Sequence, residues 1–399
     1  MLVECAKILI FTDFILKPGP FMTEKESALY SHYIIDGIRC DATPAELLDE
    51  CMEFPDPVLS GGFADIIDES TDPPVTSFTY DCALNGHYAE QTAAASVMER
   101  SFRMLYPEHF TRLQIAKALL SRLWSEGHFR LGDLRIWAQW DWNTRPVGNM
   151  AAFYASVETA ADYLYGLGVR MTDYVFIESD EESNARFFAW LPEYEDEDPA
   201  DMELTEPYES RHPWIGEERR CARTSDPLLK GRIIYIPFDT CQFKTGGSLL
   251  AQIHGHNGGQ APHILDPDYF IDCYEVVREL VEDGVVEAGV TTADGGIATA
   301  AVKMCGDHGV EIDVSGLMAS YQPVDSTRIL FGEVPGVLVQ IAEENFDYFD
   351  AQLLLQDVAY YPIGRCVTDW KGVRFVEGAD REVAGILASL LAQASEGED

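Results

Sequence analysis

The chain has 399 residues and 47% of them are apolar, which is enough for two domains of ordinary size with a sizeable core. Its 68 acidic against 28 basic residues give a net charge of −40, and such a surface repels phosphate backbones, which argues against nucleic acid as a partner. No apolar run approaches the roughly 20 residues of a membrane helix, and residues 8–16 do not form a signal peptide. We therefore expect a cytoplasmic protein without a membrane partner.

The acid excess, with few lysines, is typical of adaptation to a salt-rich cytoplasm, where ions screen the self-repulsion. An acidic protein from an ordinary cell is the alternative, and the nine cysteines favour it slightly. These cysteines are scattered and form no CxxC pair, so they predict neither a disulfide framework nor a zinc site.

Local patterns predict alternating helices and strands in the first half of the chain. Thr43-Pro44-Ala45-Glu46 is a helix start with a capping box. Apolar periodicity predicts strands at 75–80, 134–142 and 171–177, and helices at 88–104, 111–125 and 150–167, the last ended by Gly168. The acid-rich stretch 193–201 lies within a segment, 192–229, that we interpret as the linker between two domains.

A second α/β unit follows this linker. The patterns predict strands at 233–238 and 336–341, helices at 269–281 (after the cap Asp268) and 346–356, a hairpin at 364–375 and a disordered acidic tail at 395–399.

Two glycine-rich turns precede helical runs. Asp294-Gly295-Gly296 stands before residues 297–304, and Gly246-Gly247-Ser248 stands before 249–253. Glycines at a helix start allow close approach of a backbone or ligand, and the free N–H groups there can hold an anion; Asp294 could hold Mg²⁺. Taken alone, each turn is more commonly a plain entry into a helix.

Four of these segments follow one another in an order that is characteristic of a known protein superfamily. The strand 233–238, the Gly246-Gly247-Ser248 turn, the Asp294-Gly295-Gly296 turn and the element Leu330-Phe331-Gly332-Glu333-Val334-Pro335-Gly336 follow one another. Together they resemble the C-terminal domain of the aminoimidazole ribonucleotide synthetase (PurM-like) superfamily, in which a glycine pair with a serine, a DGG turn and an LFxExxG element occur in this order. The resemblance covers roughly residues 228–375.

Upstream, residues 88–125, 134–143 and 148–177 resemble, more weakly but collinearly, the formylglycinamide ribonucleotide amidotransferases, which are phosphoribosylformylglycinamidine synthases. The departures are informative. The family's glycine-rich turn is absent from residues 172–178, its lysine-bearing loop has no counterpart after Tyr80-Asp81, and its histidine-rich catalytic loop is absent. The chain is therefore most similar to the second, non-catalytic half, and no catalytic residue is assigned.

The resemblance implies an α/β fold of the PurM-like two-domain type, in which the N-terminal α/β domain forms half of a dimeric β-barrel. The implied division is a preface (1–70), an N-terminal domain (71–191), an acidic linker (192–229), a C-terminal domain (230–380) and a helix with an acidic tail (381–399).

The resemblance also implies ATP or ADP with Mg²⁺ as ligand and a homodimer, or a heterodimer with a related module, as assembly. Its site residues would be Asp294, Gly295, Gly296, Gly246, Gly247, Ser248 and Glu333, with Asp294 on the metal. The implied function is a nucleotide-binding or scaffold half-module of purine biosynthesis, a carbon–nitrogen ligase only together with a catalytic half. The alternative is a pseudoenzyme that has kept no nucleotide site.

Two further groups of residues have simpler explanations. His254, His256 and His263 form a loose set without the complete ligand shell that a metal needs, so a polar loop is preferred. Trp137, Trp140 and Trp142 could stack on bases, but in so acidic a chain an aromatic strand in a core or interface is preferred.

Overall fold

The structure, a computed structural model, describes residues 28–53, 79–192, 212–256, 259–322 and 324–376. The α-helices of this part are α1 (Pro44–Glu53), α2 (Asn85–Ala95), α3 (Pro107–Arg122), α4 (Asn149–Gly166), α5 (Leu249–Ile253), α6 (Pro267–Glu282), α7 (Gly296–Cys305), α8 (Ser315–Ser320), α9 (Ser326–Phe331) and α10 (Phe346–Leu355). The strands are β1 (Ile34–Ile35), β2 (Ile38–Arg39), β3 (Ser125–His128), β4 (Arg135–Trp142), β5 (Arg170–Glu178), β6 (Asn184–Trp190), β7 (Trp214–Arg219), β8 (Gly231–Pro237), β9 (Val286–Thr292), β10 (Gly309–Asp313), β11 (Gly336–Ala342), β12 (Tyr361–Val367) and β13 (Gly372–Val376).

Two sheets organise the chain. The larger has six strands in the order β13, β10, β12, β8, β11, β9, and its neighbours run antiparallel except for the parallel pair β10 and β13. The smaller has the order β5, β4, β6, with β4 parallel to β5 and antiparallel to β6. β3 pairs with β7, and β1 pairs with β2, in separate two-stranded ladders.

Helices cover both faces of the six-stranded sheet. Ile234 of β8 belongs to the apolar core that contains Phe270 of α6, whereas its neighbour Ile233 belongs to the core that contains Ile297 of α7. Adjacent side chains point to opposite faces of a strand, so a strand buried on both faces has a continuous apolar sequence. This arrangement confirms the α/β fold class.

Several local predictions are confirmed. The backbone N–H of Thr43 donates to Glu46 Oε2 at 2.7 Å and the N–H of Glu46 donates to Thr43 Oγ1 at 3.3 Å, which is the capping box of α1. β4 alternates between half-buried and buried residues along its whole length. Gly168 takes φ of +66° directly after α4, a conformation that glycine adopts without strain.

The predicted helix 88–104 is wrong in its second half, because α2 ends at Ala95. Val97 and Met98, which helical periodicity would place on an apolar face, are 84% and 75% exposed. The chain instead runs irregularly through residues 96–106, which buries Arg100 and Phe102. The next helix starts at Pro107, which suits a first helical position, four residues before the predicted start.

Two predictions near the C-terminus are also corrected. The N-cap of α6 is Asp266, whose Oδ1 accepts from the N–H of Tyr269 at 3.0 Å, so Asp268 lies in the first turn. The predicted hairpin at 364–375 does not form, because β10 lies between β12 and β13. The patterns also missed β3, β6, β7, β9 and β10.

Some predictions fall outside the described residues: most of the strand at 75–80, the acidic stretch 193–201, the tail and much of the preface. The domain boundaries stay predictions. None of the helices in the described ranges is long and apolar enough to cross a membrane.

Candidate functional site

The two glycine turns meet at one carboxylate. Glu333, which follows α9, accepts through Oε1 from the N–H of Gly295 and from the N–H of Leu249, both at 2.7 Å. Its side chain is buried, so this oxygen satisfies one backbone donor at the start of α7 and one at the start of α5. The residues singled out from the sequence therefore lie together.

The glycines of the Asp294-Gly295-Gly296 turn are needed for backbone packing. Gly295 and Gly296 take φ of +76° and +61°. A Cβ on Gly296 would lie 2.6 Å from the carbonyl oxygen of Leu330, and one on Gly295 would lie 2.1 Å from Thr299 Oγ1. The turn thus seats α7 tightly against the end of α9, a role that requires no ligand.

The Gly246-Gly247-Ser248 turn is equally close-packed. A Cβ on Gly246 would lie 2.3 Å from the carbonyl oxygen of Gly259, and one on Gly247, whose φ is +68°, would lie 2.8 Å from the ring of Tyr106. Ser248 caps α5 by accepting from the N–H of Ala251 at 3.2 Å. Whether either turn also receives a phosphate stays a prediction.

Arg100 connects the two turns, and sequence reasoning missed it. Its Nη1 donates to Asp294 Oδ1 at 2.6 Å and to Glu333 Oε2 at 3.0 Å, and its Nη2 donates to the carbonyl of Gly247 at 2.9 Å. The Arg100 side chain is 6% exposed. One signal in the sequence could have indicated such a residue, because a glutamate within an apolar element such as Leu330-Phe331-Gly332-Glu333 needs a cationic or hydrogen-bonding partner when it is buried. No local pattern identifies Arg100 as that partner.

Asp294 is held on both of its oxygens. Gln114 Nε2 of α3 donates to Oδ1 at 3.1 Å, and Lys117 Nζ of the same helix donates to Oδ2. A Mg²⁺ ion at Asp294 would therefore have to displace a cation, and within the described ranges no three His, Cys, Asp or Glu side chains are grouped to hold a metal. The assignment of Mg²⁺ to Asp294 stays a prediction.

The two carboxyl groups of this ion cluster differ in their acidity. Burial by itself raises the pKa of Asp294, but the charges of Arg100 and Lys117 outweigh burial and hold that pKa well below its usual range. Burial raises the pKa of Glu333 above its usual range, and Arg100 offsets only part of this effect. Asp294 is therefore the firmly ionised member.

A pocket of about 370 Å³ opens beside the cluster, between α3, β6 and residues 98–100. Its lining contains three basic side chains (Arg100, Lys117, Arg186), two acidic ones (Glu99, Asp294), three polar ones (Gln114, Ser121, Asn184) and an apolar group (Met98, Phe110, Ala118, Ala185, Phe187, Phe188). With three basic against two acidic side chains, the lining contrasts with the net charge of −40 for the chain.

Arg186 reaches the pocket from β6. Its Nη1 lies 2.7 Å from Asp141 Oδ2, and its Nε donates to Glu99 Oε1. Asn184 Nδ2 donates to the same Glu99 oxygen at 2.7 Å. The cations of the pocket thus each have an acidic partner within the chain, while Lys117 and Arg186 keep 46% and 34% of their side chains exposed.

The other candidate residues lie elsewhere. His254 packs edge-to-face against Tyr88, and His256 packs at a tilt against Tyr80, each with ring centroids 5.2 Å apart; His263 is exposed. Trp140 and Trp142 are fully buried. Trp137 is half-buried and packs against a neighbouring strand, so this aromatic strand serves mainly the core.

Comparisons with known proteins agree with this architecture. No family model matches the chain. Over 276 residues, 67% of the chain, it is 24% identical to the probable phosphoribosylformylglycinamidine synthase (chloroplastic/mitochondrial) of Arabidopsis thaliana, and the match spans 18% of that protein. Over 272 residues, 65% of the chain, it is 22% identical to the phosphoribosylformylglycinamidine synthase of Dictyostelium discoideum, spanning 19% of it.

Among solved structures, the chain is similar to PurL of T. maritima complexed with FGAR, with a TM-score of 0.51 and 12% identity over 70% of this chain and 42% of that one. The likeness concerns the fold. The chain therefore has a PurM-like fold. In sequence it is related to phosphoribosylformylglycinamidine synthase, and it matches less than a fifth of the length of these two curated relatives.

Proposed function

We propose that the chain is a half-module of the phosphoribosylformylglycinamidine synthase type, which binds a phosphate-bearing ligand in the pocket and acts with a partner module. The observation that carries this proposal is the convergence of Arg100, Lys117 and Arg186 on one pocket of a strongly acidic chain. The lining has one more basic than acidic side chain, and this local positive excess favours an anionic ligand. The volume of about 370 Å³ suits a small ligand.

The pocket lining combines partly exposed basic side chains with aromatic ones, and this combination favours a nucleotide. Lys117 and Arg186, both partly exposed, offer N–H donors to phosphate oxygens. Phe188, which is 41% exposed, offers apolar surface to a planar ring. We therefore propose ADP or ATP as the ligand. Mg²⁺ would accompany it as the counter-ion of the phosphates.

Calorimetric titration of the purified chain with ADP and with ATP, with and without Mg²⁺, tests the proposal. Lys117→Ala should weaken binding by about tenfold or more, because it removes a charge-assisted contact. Lys371→Ala, an exposed lysine outside the pocket lining, is the matched control and should leave binding unchanged. Absence of binding by the wild-type chain, or equal weakening by both variants, would contradict the proposal.

A second candidate is a structural or interaction module without a nucleotide site. The observation that favours it is the internal neutralisation of the ion cluster: Arg100 and Lys117 already balance Asp294 and Glu333. Under either candidate we expect no conversion of formylglycinamide ribonucleotide to its amidine by the isolated chain with ATP and ammonia, because the catalytic loops of the resembled family are absent. Product formation that depends on this chain would refute the expectation.

A further inference from the structure

We infer that Asp294 is an internal occupant of the anion site in the pocket, so that a phosphate group must displace its carboxylate from Lys117 in order to bind. The inference rests on the proposed function, since it concerns the regulation of that same pocket. It assigns to Asp294 a role in limiting affinity, in contrast to a role in holding a metal ion.

The carboxylate of Asp294 already uses the donors that a phosphate would use. Arg100 Nη1 and Gln114 Nε2 donate to Oδ1 at 2.6 Å and 3.1 Å, and Lys117 Nζ donates to Oδ2. All four residues line the pocket. A carboxylate and a phosphate are both oxyanions that these groups bind through charge-assisted hydrogen bonds, so the two compete.

The two cations around Asp294 differ in how firmly they are held. Arg100 is 6% exposed and is also fixed by Glu333 and by the carbonyl of Gly247. Lys117 is 46% exposed on the rim formed by α3. A ligand can therefore draw Lys117 away from Asp294 while the buried contacts of Arg100 persist, which makes Lys117 the exchangeable contact.

Removal of the charge on Asp294 should then strengthen anion binding. Asparagine keeps an oxygen that can accept from Arg100, so Asp294→Asn preserves the shape and one hydrogen bond of the cluster. A full negative charge within a few ångströms of a bound phosphate opposes binding, and its loss should tighten binding by about tenfold or more. Asp307→Asn is the matched control, because Asp307 is exposed beyond the opposite end of α7.

The test is calorimetric titration with inorganic pyrophosphate in buffer without Mg²⁺, with folding checked by circular dichroism. We expect tighter binding by Asp294→Asn, no change in Asp307→Asn, and loss of the gain in the double variant Asp294→Asn with Lys117→Ala. Equal or weaker binding by Asp294→Asn, while wild-type binding still depends on Lys117, would overturn the inference and leave the proposed function standing. Pyrophosphate binding that is absent, or that does not depend on Lys117, would overturn the inference, and the titrations with ADP and ATP then decide the proposed function separately.

The wild-type chain offers a second measurement should Asp294→Asn fail to fold. The carboxyl ¹³C resonance of Asp294 should shift when the protein is saturated with pyrophosphate, because the carboxylate exchanges Lys117 for another environment. A resonance that stays unchanged at saturation would refute the displacement.

Discussion

Replacing Arg100 by methionine should destabilise the chain strongly at pH 7 and much less at pH 5. The guanidinium contacts Asp294 and Glu333 at 2.6 and 3.0 Å, and its removal leaves both carboxyl groups buried with Lys117 as the remaining cation of the cluster. Removing one partner of a buried ion pair costs about 3–5 kcal/mol, because the other partner remains as an uncompensated charge.

Protonation of Glu333 limits this cost. In the absence of Arg100, a fully buried glutamate is most easily accommodated as the neutral acid. For a carboxyl with an ordinary pKa of 4.5, taking up a proton costs about 3.4 kcal/mol at pH 7 and about 0.7 kcal/mol at pH 5. A raised pKa in the folded state means that stability falls as the pH rises from 4.5 through that higher pKa.

Asp294 acts outside this window. In the wild-type chain Arg100 and then Lys117 lower its pKa, so its stabilising contribution is present above its ordinary pKa of 3.8 and is lost only as the pH falls below that value. In Arg100→Met the ion pair with Lys117 remains, so Asp294 stays ionised at both pH values. We therefore expect Arg100→Met to lower the free energy of unfolding by about 3 kcal/mol at pH 7, and by roughly 1 kcal/mol at pH 5.

Urea unfolding followed by circular dichroism at both pH values measures the effect. Arg365→Met is the control: Arg365 pairs with Glu311 at 3.1 Å and is 61% exposed, so its loss should cost less than about 1 kcal/mol at either pH. Equal losses for Arg100→Met at pH 5 and pH 7, or losses no larger than those of the control, would refute the reasoning.

Three further predictions concern packing, salt and assembly. Gly296→Ala should lower the free energy of unfolding by about 2 kcal/mol or more in urea titrations, because its φ is +61° and a Cβ would meet Leu330; Gly316→Ala, whose Cβ would meet nothing within 4 Å in α8, should not lower it. If the acid excess reflects haloadaptation, molar KCl should raise the melting temperature more than it does for a neutral control protein, and equal shifts would remove that argument. Light scattering at micromolar concentration should show a dimer; a stable monomer would contradict the proposed assembly.

The sequence by itself determined the features that arise within a few residues. The alternation in β4, the capping box of Thr43 and Glu46 and the glycine that ends α4 depend on periods of 2 and 3.6 or on hydrogen bonds between near neighbours. The two glycine turns and the element around Glu333 were also found, because each is a short motif. Their order along the chain indicated the α/β fold and the superfamily.

Only the tertiary structure decided which residues complete the cluster. Arg100 and Lys117 lie 194 and 177 positions from Asp294, and local periodicity placed Arg100 inside a helix. Its burial between two carboxylates outweighs helix propensity, which amounts to less than about 1 kcal/mol per residue. The insertion of β10 between β12 and β13 is likewise a pairing between distant segments. Such choices depend on burial and charge summed over the whole fold, which no local pattern records.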